Sequence, residues 1–203
     1  MADIIPVLDS TSLQDDTFYT SIIKDNLEQR ILVLNEEITS DLIERFVLFI
    51  LKWNREDKGR ASKDRQPIRL YINSDGGDVM VALNLIDVIL ASKTPVYAIG
   101  LGTIASAAYY IYLAGHKRFA FRNSAFLQHD GGMTISNSNS KAKDTMRFFD
   151  NVDARIKEYV LKVTSMTDEW YEDHYTQEYW MFADEAQSLG IVDKIATTLD
   201  EVF

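Results

Sequence analysis

The sequence predicts an α/β fold in which strands and helices alternate along one chain, and three observations carry that prediction. Short apolar runs at 68–72 (Ile-Arg-Leu-Tyr-Ile) and 96–100 (Val-Tyr-Ala-Ile-Gly) alternate with helical patterns at 79–90 and 106–114. Small and turn-forming residues, Asn73-Ser74-Asp75-Gly76-Gly77 among them, punctuate the passage from strand to helix. The 203 residues, 46% hydrophobic and 26% charged, suit one soluble globular domain, expected to span residues 1–203.

Taken in order, Phe18, Ile22, Ile23 and Leu27 recur at helical spacing over 18–29, after a polar start. Residues 30–34 read as a strand. Ser40 then opens a helix, with Asp41 and Glu44 spaced as a capping pair. Phe46, Val47, Phe49, Ile50 and Trp53 make that helix apolar on more than one side, so it is expected to be buried. Residues 54–67, basic-rich from Arg55 to Arg65, read as a solvated charged loop. After the elements already named come strands at 118–121 and 125–128. A polar stretch at 133–140 lacks helical periodicity, and a long amphipathic helix over 141–163 follows it, so this region reads as an excursion from the core. A helix at 167–174, a strand around Trp180, a helix at 184–189 stopped by Gly190 and a strand at 191–195 complete the chain. No internal repeat and no linker is visible.

Twenty-one basic against 31 acidic residues give a net charge of −10, which argues against a nucleic-acid partner held through its phosphates. The absence of cysteine excludes disulfides, thiol nucleophiles and thiolate metal sites. The three histidines, His116, His129 and His174, suggest no clustered metal site, and neither metal nor cofactor is expected. The start Met1-Ala2-Asp3-Ile4-Ile5-Pro6 lacks the basic region and long apolar core of a secretory signal, so a cytoplasmic location is the expectation. Residues 96–115 carry no charge and are long enough to span a bilayer. Their glycines, their polar Thr103 and Ser106 and their strand-like first half fit a buried strand-turn-helix better, and no membrane association is expected.

Ser106 sits among Ala105, Ala107 and Ala108 where a strand pattern gives way to a helix. A helix N-terminus offers free N–H groups and a favourable dipole to an oxyanion forming beside a nucleophilic hydroxyl. The alternative is a serine chosen for its size in a tight junction. His129 ends another strand, before Gly131-Gly132, and can serve as the base that takes the serine proton. It can equally be a hydrogen-bonded structural histidine. The N–H after the nucleophile, that of Ala107, and one from Gly76-Gly77 can together hold an oxyanion, although a glycine pair between strand and helix is also ordinary turn punctuation.

The order and spacing of these motifs resemble the ClpP family, the proteolytic subunits of Clp proteases, over nearly the full length. The resemblance rests on Arg30-Ile31-Leu32-Val33-Leu34, on Leu70-Tyr71-Ile72-Asn73-Ser74-Asp75-Gly76-Gly77 and on Gly102-Thr103-Ile104-Ala105-Ser106-Ala107. Ala114-Gly115, Lys117-Arg118-Phe119, Asn123-Ser124, His129, Ala183-Asp184-Glu185-Ala186 and Gly190-Ile191-Val192-Asp193 extend it. It implies the spiral of strand-strand-helix units shared with crotonases, carrying a strand-helix handle at 133–165 and a mobile axial segment at 1–17. It further implies a self-compartmentalised serine endopeptidase with Ser106 as nucleophile, His129 as general base and the N–H groups of Gly77 and Ala107 as oxyanion hole. Two homo-oligomeric rings of seven would stack through the handle into a tetradecamer. Short peptides would be cut by the peptidase alone, and unfolded proteins when an AAA+ Clp ATPase delivers them. Peptides would bind as an added strand beside the residues after Gly77 and before His129.

The chain departs from the family pattern in several places. Asp75 stands where proline is usual, the segment after His129 is shorter, and the loop at 54–67 is longer. Tyr71 and Phe119 match aromatic positions at which the partner ATPase docks, while Arg69 and Ala91 stand at two others, so a divergent partner or weak docking is expected. Counting back without gaps from Phe182-Ala183-Asp184-Glu185-Ala186 puts the family's third catalytic position at His174, with Asp173 one residue earlier. Asp173 can supply the negative charge that stabilises an imidazolium and is the expected acid, with a displaced or inactive triad as the alternative. Two other readings compete with the peptidase: a catalytically weak ClpP-like structural or regulatory subunit, and an acyl-CoA enzyme of the crotonase fold.

Overall fold

The structure is a computed structural model that describes residues 18–132, 134–136 and 138–203. The segment 1–17, expected to be axial and mobile, and positions Met133 and Asn137 of the expected handle lie outside the described residues. Strands β1 (Ile31–Leu34), β2 (Ile68–Ser74), β3 (Val96–Ala105), β4 (Lys117–Phe121) and β7 (Lys194–Ala196) run parallel in the order β1-β2-β3-β4-β7. Strand β5 (Ala125–Gln128) lies parallel to the far half of β3, and β6 (Tyr179–Phe182) pairs antiparallel with β5. The helices are α1 (Phe18–Glu28), α2 (Leu48–Glu56), α3 (Val79–Ala91), α4 (Ala107–Leu113), α5 (Asn139–Val163), α6 (Asp168–Tyr175) and α7 (Ala183–Ser188).

Helices α3 and α4 cover the sheet face formed by Ile68, Leu70, Ile72, Val96 and Ala98, and all seven residues of α4 are buried. The uncharged run at 96–115 is therefore core. Among the described residues no helix is long and apolar enough to cross a membrane. On the opposite face a smaller cluster gathers Ile99, Ala196 and Val202 with Tyr71, Tyr97, Phe119 and Phe121.

Strand β3 is longer than the sequence suggests, and the extra length positions the site. Its first half pairs with β4 from Tyr97 to Gly100, and its second half with β5 from Thr103 to Ala105. Gly102, at φ +61°, makes the turn between the two partners. A Cβ there would lie 2.5 Å from Asn73 Oδ1, which accepts the Thr103 N–H at 2.9 Å, so a side chain has no room. Asn73 alone stands opposite Leu101, Gly102 and Thr103. This bulge turns the end of β3, and with it Ser106, toward β5.

The expected solvated loop at 54–67 is exposed over most of its length but is corrected at its helical start and at Asp57 and Arg65, which are buried. Helix α2 continues to Glu56, Ser62–Asp64 forms a 3-10 turn, and Asp57 is fully buried. The Asp57 carboxylate accepts from both Arg30 guanidinium nitrogens at 2.5 and 3.1 Å and from Thr94 Oγ1 at 3.0 Å. Arg65 donates to the same threonine oxygen at 3.2 Å. Charged residues that a run-length reading assigns to water thus tie together the starts of β1, β2 and β3. Two smaller differences concern element bounds. The helix after Ser40 includes a π-helical stretch, Ile43–Val47, and the last strand begins at Lys194 because Ile191 is held in a turn by Ala186 O at 2.9 Å.

Helix α5 buries Val152, Ile156 and Val160, all in its C-terminal half, while Met146 and Phe148 are exposed. Its N-terminal half therefore leaves the core, as an excursion would.

Candidate active site

Ser106 occupies the single residue between β3 and α4, at φ 53° and ψ −126°. A residue with a Cβ is strained there, at about 1–3 kcal/mol, and persists only where the surroundings dictate it. Its N–H donates to Leu127 O at 3.2 Å and its carbonyl accepts from Tyr109 N at 3.0 Å, so both neighbouring elements hold the turn. Ala105, Ala107 and Ala108 are buried around it, small enough for other backbone to approach closely.

That backbone is the Gly76-Gly77 turn. A Cβ on Gly76, at φ +106°, would lie 2.6 Å from Ser106 Cβ and 3.0 Å from Ala107 N. Ser74 Oγ pins the turn by donating to Glu36 O at 2.5 Å and accepting from Gly76 N at 3.2 Å. Ile38 then bridges it in parallel fashion, its N–H donating to Gly76 O and its carbonyl accepting from Asp78 N, each at 2.8 Å. Gly76 O and the Gly77 N–H belong to one trans peptide group and point in opposite directions, so the Gly77 N–H points away from Ile38. Ala107 opens a helix, so its N–H has no acceptor within that helix. A cleft of about 550 Å³ adjoins the turn, lined by Asn35, Glu37, Asn73, Asp75 and Thr103 among others.

His129 follows β5, on the strand beside the end of β3. Its carbonyl accepts from Tyr110 OH at 3.2 Å, and the preceding Gln128 accepts from Tyr109 OH at 3.2 Å. Burial pushes both tyrosines well above their usual range, so they serve as neutral donors that anchor this strand end to α4. The imidazole Nδ1 lies 2.9 Å from Glu178 Oε1. Nε2 is buried and has no hydrogen-bond partner among the described residues, so the Ser106 hydroxyl does not engage it in this conformation. Such contacts are often loose without substrate.

Asp173 is not brought to His129. It is an exposed residue of α6, and its carbonyl accepts from the Gln177 side chain at 2.5 Å. His174, the position reached by gap-free counting, stacks on Trp170 at 4.2 Å and is held by Trp170 O at 2.7 Å from Nδ1. The reason is helical geometry. Tyr171, one turn before Tyr175, takes the core-facing side of α6, and Asp173 falls on another. The carboxylate found beside His129 is Glu178, which the sequence reading does not single out. Its one available signal was its place just before β6, which only the pairing of β6 with β5 makes informative.

The chain is similar to known proteins over most of its length. Residues 14–199 match the Clp protease family. The chain is 32% identical over 176 residues to the ATP-dependent Clp protease proteolytic subunit 2 of Treponema pallidum, covering 83% of each chain. It is 28% identical over 178 residues to the protein of the same description from Treponema denticola, covering 87% of this chain and 86% of that one. Its fold is similar to that of a ClpP1 mutant from Listeria monocytogenes, with a TM-score of 0.73 and 26% identity over 90% of this chain and 99% of the other. Neither the regulatory-subunit reading nor the acyl-CoA reading is favoured by these matches. With a strained serine at a strand-helix turn, a glycine turn pressed against it and a histidine just past the end of the adjoining strand, the chain belongs to the Clp protease family and is a serine peptidase of the Clp type.

Proposed function

We propose that Ser106 is the nucleophile, His129 its general base, and the N–H groups of Gly77 and Ala107 the oxyanion hole. The observation that carries this reading is the close approach of Gly76 to the strained Ser106, 2.6 Å from Ser106 Cβ to a Cβ placed on the glycine, which leaves room only for backbone beside the hydroxyl. In this reading Ser106 Oγ attacks the scissile carbonyl as His129 Nε2 takes its proton. The carbonyl oxygen then carries the charge beside the two N–H groups. Collapse expels the amine, which receives the proton from His129, and water hydrolyses the acyl-serine by the same route in reverse.

The substrates proposed are short peptides, cleaved unaided, and unfolded proteins delivered by an AAA+ ATPase. Members of the Clp protease family form rings and work with Clp ATPases. For this chain we propose rings of seven, stacked through a handle at 133–165, with residues 1–203 as one domain working in the cytoplasm. The exposed Met146 and Phe148 on the projecting half of α5 support a handle that is covered on assembly. Tyr71 and Phe119 flank Ile99 across the sheet, and Val202 packs against that row, so an ATPase would meet a face partly occupied by the chain's own C-terminal residues. The purified protein is expected to hydrolyse short fluorogenic peptides without nucleotide and to scatter light as a ring assembly. A stable monomer without peptidase activity would count against both proposals.

A further inference from the structure

We infer that Glu178 is the positioning acid of this peptidase, supplied to His129 across the β5–β6 ladder rather than from helix α6. This inference rests on the reading of Ser106 and His129 given above. The antiparallel register pairs Ala125 with Phe182, Phe126 with Met181, Leu127 with Trp180 and Gln128 with Tyr179. Continued by one step, it sets His129 directly opposite Glu178. Directly opposed residues of an antiparallel pair hold their Cβ atoms about 4.5–5.5 Å apart, within reach of a side-chain hydrogen bond. The observed Nδ1 to Oε1 distance of 2.9 Å is that contact.

The chemistry follows from what each group can donate. An ionised carboxylate only accepts hydrogen bonds, so Glu178 places the imidazole proton on Nδ1 and leaves Nε2 with its lone pair. Nε2 is the buried nitrogen that has no partner among the described residues. The pair therefore fixes both the tautomer and the ring plane that a base for Ser106 requires. When Nε2 takes the serine proton, the imidazolium faces a carboxylate instead of an orphan charge.

The surroundings leave this task to Glu178. Among the described residues Glu178 holds the one carboxylate within hydrogen-bond distance of the His129 ring; Asp173 does not reach it, and His174, clamped between Trp170 and Tyr179, offers no negative charge. Glu178 differs from a buried triad carboxylate in one respect: its side chain is 68% exposed. Water screens its charge, so orientation and tautomer supply more of its effect than electrostatic stabilisation does. The expected loss on removing it is accordingly about 10²- to 10⁴-fold, no greater than for a buried acid.

The test is steady-state hydrolysis of a fluorogenic peptide by the assembled protein and four variants. Glu178→Gln should lower kcat by about 10²-fold or more with KM within about threefold of wild type. Glu178→Asp, which keeps the charge at a shorter reach, should recover at least about tenfold of that loss, a rescue that a purely structural role would not give. Asp173→Asn should stay within about threefold of wild type. Ser106→Ala should be inactive, and this arm separates the two ideas. If Ser106→Ala is inactive while Glu178→Gln matches wild type, or while Asp173→Asn loses as much as Glu178→Gln, the assignment of Glu178 is overturned and the nucleophile stands. If Ser106→Ala retains activity, the underlying reading fails instead. Should Glu178→Gln not assemble, the wild-type comparison with Glu178→Asp decides: a KM-neutral fall in kcat supports the inference and full activity overturns it.

Discussion

Replacing Ser106 with alanine is expected to reduce peptide hydrolysis by on the order of 10⁴-fold or more, and His129→Ala by a similar factor. The double variant should be scarcely worse than either single one, because the hydroxyl and its base act as one unit. Stability should move the other way. Ser106 sits at φ 53°, a conformation that strains any residue carrying a Cβ and that glycine tolerates. Relief of about 1–3 kcal/mol of strain outweighs the roughly 0.5–1 kcal/mol that glycine's extra freedom costs. Ser106→Gly should therefore be inactive yet more stable than wild type by about 1 kcal/mol, read as the shift in urea midpoint at fixed protein concentration. An inactive but destabilised glycine variant would mean that the backbone at this position is not strained.

The second large effect lies at the opposite end of the sheet. Asp57 is fully buried and ion-paired with Arg30, itself at φ 58°. Asp57→Ala leaves the guanidinium with only Gln66 O at 3.0 Å and the Glu56 carboxylate at 3.9 Å, and breaking a buried pair in this way typically costs about 3–5 kcal/mol. Because the strand starts, rather than their site-bearing ends, are what this network ties together, the fraction that remains folded and assembled should keep its kcat. Hydrogen bonding from Arg30, opposed by burial and joined by Thr94, holds the Asp57 carboxyl below the usual carboxylate range. The unfolded chain then binds that proton more tightly than the folded one. The contribution of the pair is thus complete above the unfolded value of about 3.9 and is lost as pH falls through the folded one. Urea midpoints measured from pH 3 to pH 7 should show a smaller acid-side slope for Asp57→Ala than for wild type. Parallel curves would remove this carboxylate from the account.

The parts of the fold legible in the sequence are those fixed by neighbours along the chain. Alternating Ile68, Leu70 and Ile72 mark β2, and the apolar run from Val79 marks α3, whose cap Asp78 accepts from Met80 N and Val81 N at 2.7 and 3.1 Å. Ser106 and Gly76-Gly77 were legible for the same reason, since a small-residue turn between strand and helix announces close backbone approach. What was hidden depends on partners distant in sequence. The length of β3 is set by Gly102 against Asn73, and Asp57 is buried because Arg30, 27 residues earlier, reaches it. Glu178 meets His129 through a ladder spanning 49 residues. Counting residues back from α7 presumes a link between α6 and β6 of fixed length, and so it lands on His174, whose ring is already committed to Trp170.

The central claim is that Ser106 is a hydroxyl activated by its surroundings, and a fluorophosphonate probe addresses it most directly. Attack by an activated serine oxygen on phosphorus expels fluoride and leaves a stable phosphonyl ester, which peptide mapping by mass spectrometry locates. The account predicts one adduct per chain, on Ser106, formed at a rate that falls sharply in His129→Ala and is absent in Ser106→Ala. Labelling of Ser106→Ala at the wild-type rate, or an adduct mapped to another residue, would contradict it.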